Sequence, residues 1–105
     1  MSVVLDAIRE NLERNLHIQK LYSRNMQSFR KGALTVKIIN GNEYYYLVYR
    51  EGKKVKTDYI GAKGKTDLKN IKKELKDREN YRTQILQLKK EEKELRKAIK
   101  ALGGN

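Results

Sequence analysis

Apolar side chains recur through residues 3–31 at Leu5, Ile8, Leu12, Leu16, Tyr22, Met26 and Phe29, with charged residues between them. This near-helical spacing gathers them on one face, so the zone predicts an amphipathic helix. Ser2 fits its N-cap and Asp6 its first turn, while Arg30, Lys31 and Gly32 supply a stop. The pattern allows one helix, or two with a break near Asn15 or Asn25. The period then changes. Ala33 to Ile39 alternates and is β-branched, Glu43 to Arg50 is aromatic and β-branched, and Lys54 to Ile60 forms a third such run ending at Gly61. Asn40-Gly41-Asn42 and Glu51-Gly52-Lys53 are turn signals between them. Residues 33–61 therefore predict a three-stranded antiparallel meander.

From residue 66 the helical period returns. Leu68, Ile71, Leu75, Ile85, Leu88, Leu95, Ile99 and Leu102 follow steps of three and four or their sums, and Arg78, Tyr81 and Glu92 fall at or near the remaining seam positions. Thr66 or Asp67 is the cap and Gly103-Gly104 the end. Such a helix over 66–102 is ~50 Å long. With one narrow apolar seam and charge elsewhere, it needs a partner helix. The first helix would supply one as an antiparallel hairpin; a second copy would supply one as a coiled-coil homodimer. Ala62-Lys63-Gly64-Lys65 reads as a flexible link between sheet and helix. The expected fold is α+β, a single domain with an N-terminal helix, a meander and a long C-terminal helix.

Strand parity gives the sheet two unlike faces. With two residues in the first turn, Leu34, Val36 and Ile38 share a face with Tyr45, Leu47 and Tyr49. A three-residue second turn, of the bulged Gly-containing kind, adds Val55, Thr57 and Tyr59 to that apolar face. Thr35, Lys37, Tyr44, Tyr46, Val48, Arg50, Lys54, Lys56 and Asp58 are then left on the other. A two-residue second turn would instead flip the third strand and dissolve part of that basic face.

Charge sharpens this picture. The 105 residues carry 25 Lys and Arg against 13 Asp and Glu, a net of +12. Residues 30–65 hold +6 of it and residues 66–105 hold +5, leaving +1 for the first helix. A charge so far from zero repels itself and suits a polyanionic partner, of which nucleic acid is the commonest. Lys and Arg supply point charges and forked donors for phosphates, and tyrosine rings supply flat surfaces on which bases stack. Lys37, Tyr44, Tyr46, Arg50, Lys53, Lys54, Lys56, Lys63 and Lys65 are the candidate contacts. The plainer alternative is that these cations only solubilise an open sheet face. On the long helix, solvated charge is the default.

Catalytic chemistry is sparse. There is no cysteine, hence no disulfide, thiolate metal site or cysteine nucleophile. His17 is the single histidine, and the sequence marks no orienting group for it. No phosphate-binding loop motif and no transmembrane-length apolar run occur. Met1-Ser2-Val3-Val4-Leu5 meets Asp6, Arg9 and Glu10 too early for a signal peptide. These features predict a non-enzymatic cytoplasmic protein with no cofactor, no metal and no membrane partner.

The run Lys37-Ile38-Ile39-Asn40-Gly41-Asn42-Glu43-Tyr44-Tyr45-Tyr46-Leu47, with Tyr49-Arg50-Glu51-Gly52-Lys53-Lys54-Val55 and Tyr59-Ile60-Gly61, resembles a segment near the N-terminus of some DDE-type transposases. It is also similar to a segment that precedes a charged helix in small proteins of phages, plasmids and archaea. In outline it is similar to the arm-binding domains of tyrosine recombinases, which read DNA with a three-stranded sheet. The resemblance covers about a quarter of the chain, and the chain is too short for a transposase catalytic domain. It implies a mobile-element or phage setting in a bacterial or archaeal cell and a nucleic-acid-facing sheet. Three expectations follow. The first is a DNA- or RNA-binding protein. The second is an anti-CRISPR inhibitor that grips a CRISPR ribonucleoprotein, and the third a coiled-coil adaptor.

Overall fold

The computed structural model of the chain describes residues 2–104, in the order α1 (Val3–Gln27), β1 (Ala33–Ile39), β2 (Asn42–Glu51), β3 (Lys54–Ala62) and α2 (Leu68–Ala101). The chain packs as two compact units. One takes in the chain up to Ser28 and from Asn80 onward; the other runs from Phe29 to Glu79.

In the helical unit, α1 is a single helix of 25 residues. The Ser2 hydroxyl accepts from the Leu5 N–H at 3.1 Å and caps it. Asn15 does not break it. Its side chain is buried and donates to the Leu88 carbonyl at 2.9 Å, so the amide finds a partner across the seam and leaves its own backbone helical. Early residues of α1 meet late residues of α2: the Tyr22 and Tyr81 ring centroids lie 5.3 Å apart, and Arg9 approaches Gly104. The two helices are therefore an antiparallel pair, which gives the long helix its partner within the chain. α2 ends in a Schellman motif, with Gly103 N–H donating to the Lys100 carbonyl and Gly104 N–H to that of Ile99.

α1 stops four residues short of the expected position. Ser28 turns both its N–H and its hydroxyl onto the Asn25 carbonyl. Beyond it, in the sheet unit, the backbone is engaged by α2. The Phe29 carbonyl accepts from Arg78 at 2.9 Å, and the Arg30 N–H donates to Glu74 at 2.7 Å. Groups that would extend a helix are thus held by another element.

The sheet has the order β1-β2-β3, antiparallel throughout. Asn40 and Gly41 both adopt positive φ, 52° and 79°, as a two-residue type I′ turn demands. Leu34 stands opposite Leu47 and Val36 opposite Tyr45. Tyr45 and Leu47 are buried here, as is Ile71 in the first turns of α2, where Asp67 caps the helix by accepting from Asn70. The link between sheet and helix is pinned, not loose: Lys63 N–H donates to the Glu43 carbonyl and Lys65 N–H to that of Ala62.

The second turn overturns an expectation. Glu51 pairs directly with Lys54, so the turn is the two-residue Gly52-Lys53, with Gly52 at φ 62° in the first position as a type II′ turn requires. The third strand is therefore flipped relative to the three-residue reading. Lys54, Lys56 and Asp58 stand on the face of Tyr45 and Leu47, and Val55, Thr57 and Tyr59 on the other.

Candidate nucleic-acid interface

Register defines the open face of the sheet. β1 contributes Thr35, Lys37 and Ile39, β2 contributes Tyr44, Tyr46, Val48 and Arg50, and β3 contributes Val55, Thr57 and Tyr59. Three tyrosines form one cluster on it. Tyr59 lies 5.4 Å from Tyr46 and 6.5 Å from Tyr44, centroid to centroid, with the rings tilted by 59° and 48°. Such tilted contacts are the preferred aromatic geometry. The unbroken register from the second turn sets Tyr59 directly opposite Tyr46, and a bulge just beyond that pair leaves Ile60 unpaired. Tyr59 is 58% exposed, while Tyr44 and Tyr46 are half-buried. The ammonium of Lys37 sits 4.7 Å from the centre of the Tyr46 ring, a cation–π contact.

Charge divides between the two faces. No Asp or Glu of the three strands falls on the open face, where Lys37 and Arg50 are the cations. Glu43, Glu51 and Asp58 all stand on the other. There Lys56 pairs with Glu51 at 2.7 Å, and Lys63 reaches Glu43 at 3.3 Å. The hydrogen bond from Lys56, backed by its charge, holds the Glu51 carboxyl below the usual carboxylate range and raises Lys56 in turn. A hydrogen bond with Asp58 raises the Tyr49 hydroxyl.

Of the nine residues singled out in the sequence, Lys37, Tyr44, Tyr46 and Arg50 come together on the open face. Lys54 and Lys56 lie on the reverse face, Lys53 at the exposed tip of the second turn, and Lys63 and Lys65 in the pinned link. Sequence reasoning missed Tyr59, though a signal for it existed. A three-residue turn would set Arg50 opposite Lys54, two like charges. A two-residue turn sets Glu51 opposite Lys54 and Tyr46 opposite Tyr59, both favourable pairs.

His17 is exposed on α1, beside Gln19, Lys20 and Lys89. Among the described residues no three His, Cys, Asp or Glu side chains group closely enough to hold a metal ion, and no helix is long and apolar enough to cross a membrane.

No curated protein matches the chain, and no solved structure does. A family pattern matches residues 8–70, from the first turns of α1 through the sheet to the start of α2. It spans the whole open face and omits most of α2. On that match the chain belongs to the family described as a domain of unknown function, DUF6788.

Proposed function

We propose that this chain is a non-enzymatic nucleic-acid-binding protein whose contact surface is the open face of the sheet. The observation that carries the reading is the Tyr44, Tyr46 and Tyr59 cluster, flanked by Lys37 and Arg50 on a face free of carboxylates, in a chain of net charge +12. Phosphates are drawn by the overall charge and located by Lys37 and Arg50. Bases exposed in a single strand, DNA or RNA, stack on the rings, a mode that tolerates any sequence because every base has a π-face. The basic surface of α2 adds long-range attraction, screened over a Debye length of about 8 Å at physiological salt.

The test is a salt-series titration with labelled single-stranded DNA, duplex DNA, structured RNA and an RNA-loaded CRISPR nuclease. Single strands should bind tightest, with affinity falling steeply as salt rises through counterion release. Substituting Tyr44, Tyr46 and Tyr59 by Ala should cost about 1–3 kcal/mol for each base that stacked. Lys37→Ala should lower the salt slope by about one, whereas Lys56→Ala, already paired with Glu51, should barely change it. Full affinity in a folded triple tyrosine variant would sink the stacking surface. Weak binding to all free nucleic acids with tight capture of the nuclease would replace this reading with that of an inhibitor.

A further inference from the structure

The two edges of the sheet are unlike. The β3 edge is blunted by the bulge at Ile60 and by the exposed Lys54, Lys56 and Lys63, devices that discourage pairing with another strand. The β1 edge has no bulge and only one exposed lysine. Its register against β2 is unbroken, and Lys37 is its one charged residue. The Asn40-Gly41 turn is closed by hydrogen bonding between its flanking residues Ile39 and Asn42. Ile39, Lys37, Thr35 and Ala33 therefore turn their backbone groups toward β2, and the alternate residues Leu34, Val36 and Ile38 turn theirs outward. All three outward residues are apolar. Val36 is 48% exposed and Ile38 70%, although their face is the one that buries Tyr45 and Leu47 further along.

We infer that β1 is the seam of a homodimer in which two copies pair this strand antiparallel about Val36. The strand is complementary to itself in that register alone. Val36 meets Val36 of the second copy, Leu34 meets the second copy's Ile38, and Ile38 meets its Leu34. All three outward-directed residues are then paired with outward-directed residues, and their apolar side chains form one continuous row on one face. On the other face Thr35 meets the second copy's Lys37, so the two Lys37 ammonium groups are never opposite each other, where like charges would oppose pairing. A slip of one residue sets outward backbone groups against inward ones; a slip of two leaves an apolar residue of each strand uncovered. Dimerisation joins the sheets into six strands in the order β3-β2-β1-β1-β2-β3, with both open faces on the same side. The dimer stands on the edge geometry and holds whether or not the open face binds nucleic acid.

Analytical ultracentrifugation across protein concentration and salt tests it. The expected result is a monomer–dimer equilibrium that tightens as salt rises, because two chains of +12 repel each other and salt screens that repulsion. This trend is opposite to that expected for nucleic-acid binding, so the two readings fail separately. Val36→Lys and Ile38→Lys should each give monomers with unchanged far-ultraviolet circular dichroism. The chain has no cysteine, so Val36→Cys should form a covalent dimer on mild oxidation, while Lys53→Cys at the remote turn should not. The Val36→Cys cross-link reads the seam even if a lysine variant fails to fold. A monomer at every concentration, or a dimer that survives both lysine variants, would overturn the inference.

Discussion

The helix pair and the sheet place the same residue type to opposite ends. In the helix pair Tyr22 and Tyr81 face each other across the seam, both half-buried. Around them the polar groups of the seam are satisfied from within. Gln19 donates to Asn15 and Glu92, Asn15 donates to Leu88, and Arg96 donates to Glu92. In the sheet, Tyr45 is core, but Tyr59 contacts both Tyr44 and Tyr46 on an open face that also carries Lys37 and Arg50. The difference teaches where to look for function. A long charged helix asks for an external partner until α1 is found along its seam from Asn80 onward. An aromatic cluster on an open, carboxylate-free face has no such internal explanation.

The comparison can be broken by variants that confuse the two regions. The largest effect on stability is expected from Tyr81→Ala, which removes a half-buried ring and its partner contact. It should cost about 2 kcal/mol in urea unfolding while leaving nucleic-acid affinity unchanged in the folded protein. A loss of affinity matching that of the sheet tyrosines would show that the helix seam is not merely structural. Asn15→Ala comes next, at about 1–2 kcal/mol, because it removes the interhelical donor to Leu88 and one of the two acceptors of the Gln19 amide. Asn15→Leu would sharpen the point. If the buried amide serves mainly to fix helix register, this variant should keep much of the stability while broadening the amide spectrum of the pair.

The smallest expected effect is one of pH. The hydrogen bond from Gln19, then that from Arg96, holds the Glu92 carboxyl below the usual carboxylate range. Its folded pKa lies below its unfolded one, so the unfolded chain binds more protons and stability rises with pH through that window. The contribution is fully present above the ordinary glutamate value and is lost as pH falls through the depressed one. Glu92→Gln should flatten the acid side of the stability–pH curve. An unchanged slope would mean that the seam gains nothing from the charge of Glu92.

The elements were legible because periodicity is local. Steps of three and four wrote both helices, alternation wrote the strands, and Asn40-Gly41 wrote the first turn. The seam of α2 was legible down to Tyr81 and Glu92. Less was legible where a distant residue decides. α1 ends at Gln27 because Arg78 and Glu74, far along the chain, hold the backbone of Phe29 and Arg30. For the site, Lys37, Tyr44, Tyr46 and Arg50 could be grouped because they lie on adjoining strands joined by an unambiguous turn. Tyr59 could not, since its face depends on the length of the second turn, and Gly52 suits a loop of two residues or three. The like charges that a three-residue loop would set face to face, Arg50 and Lys54, favour the shorter length.

The short second turn also bears on how such a protein can change. β1 and β2, with the core residues Tyr45 and Leu47, are fixed before the chain reaches Gly52. A single residue inserted there, with the turn still two residues long, would leave them as they are, shift the pairing of the last strand by one position and so invert its faces. It would exchange Val55, Thr57 and Tyr59 on the open face for Lys54, Lys56 and Asp58. One duplication event thus separates an aromatic surface from a salt-like one, with no substitution of any side chain. The number of residues between β2 and β3, more than any one side chain, thus decides which chemistry the open face displays.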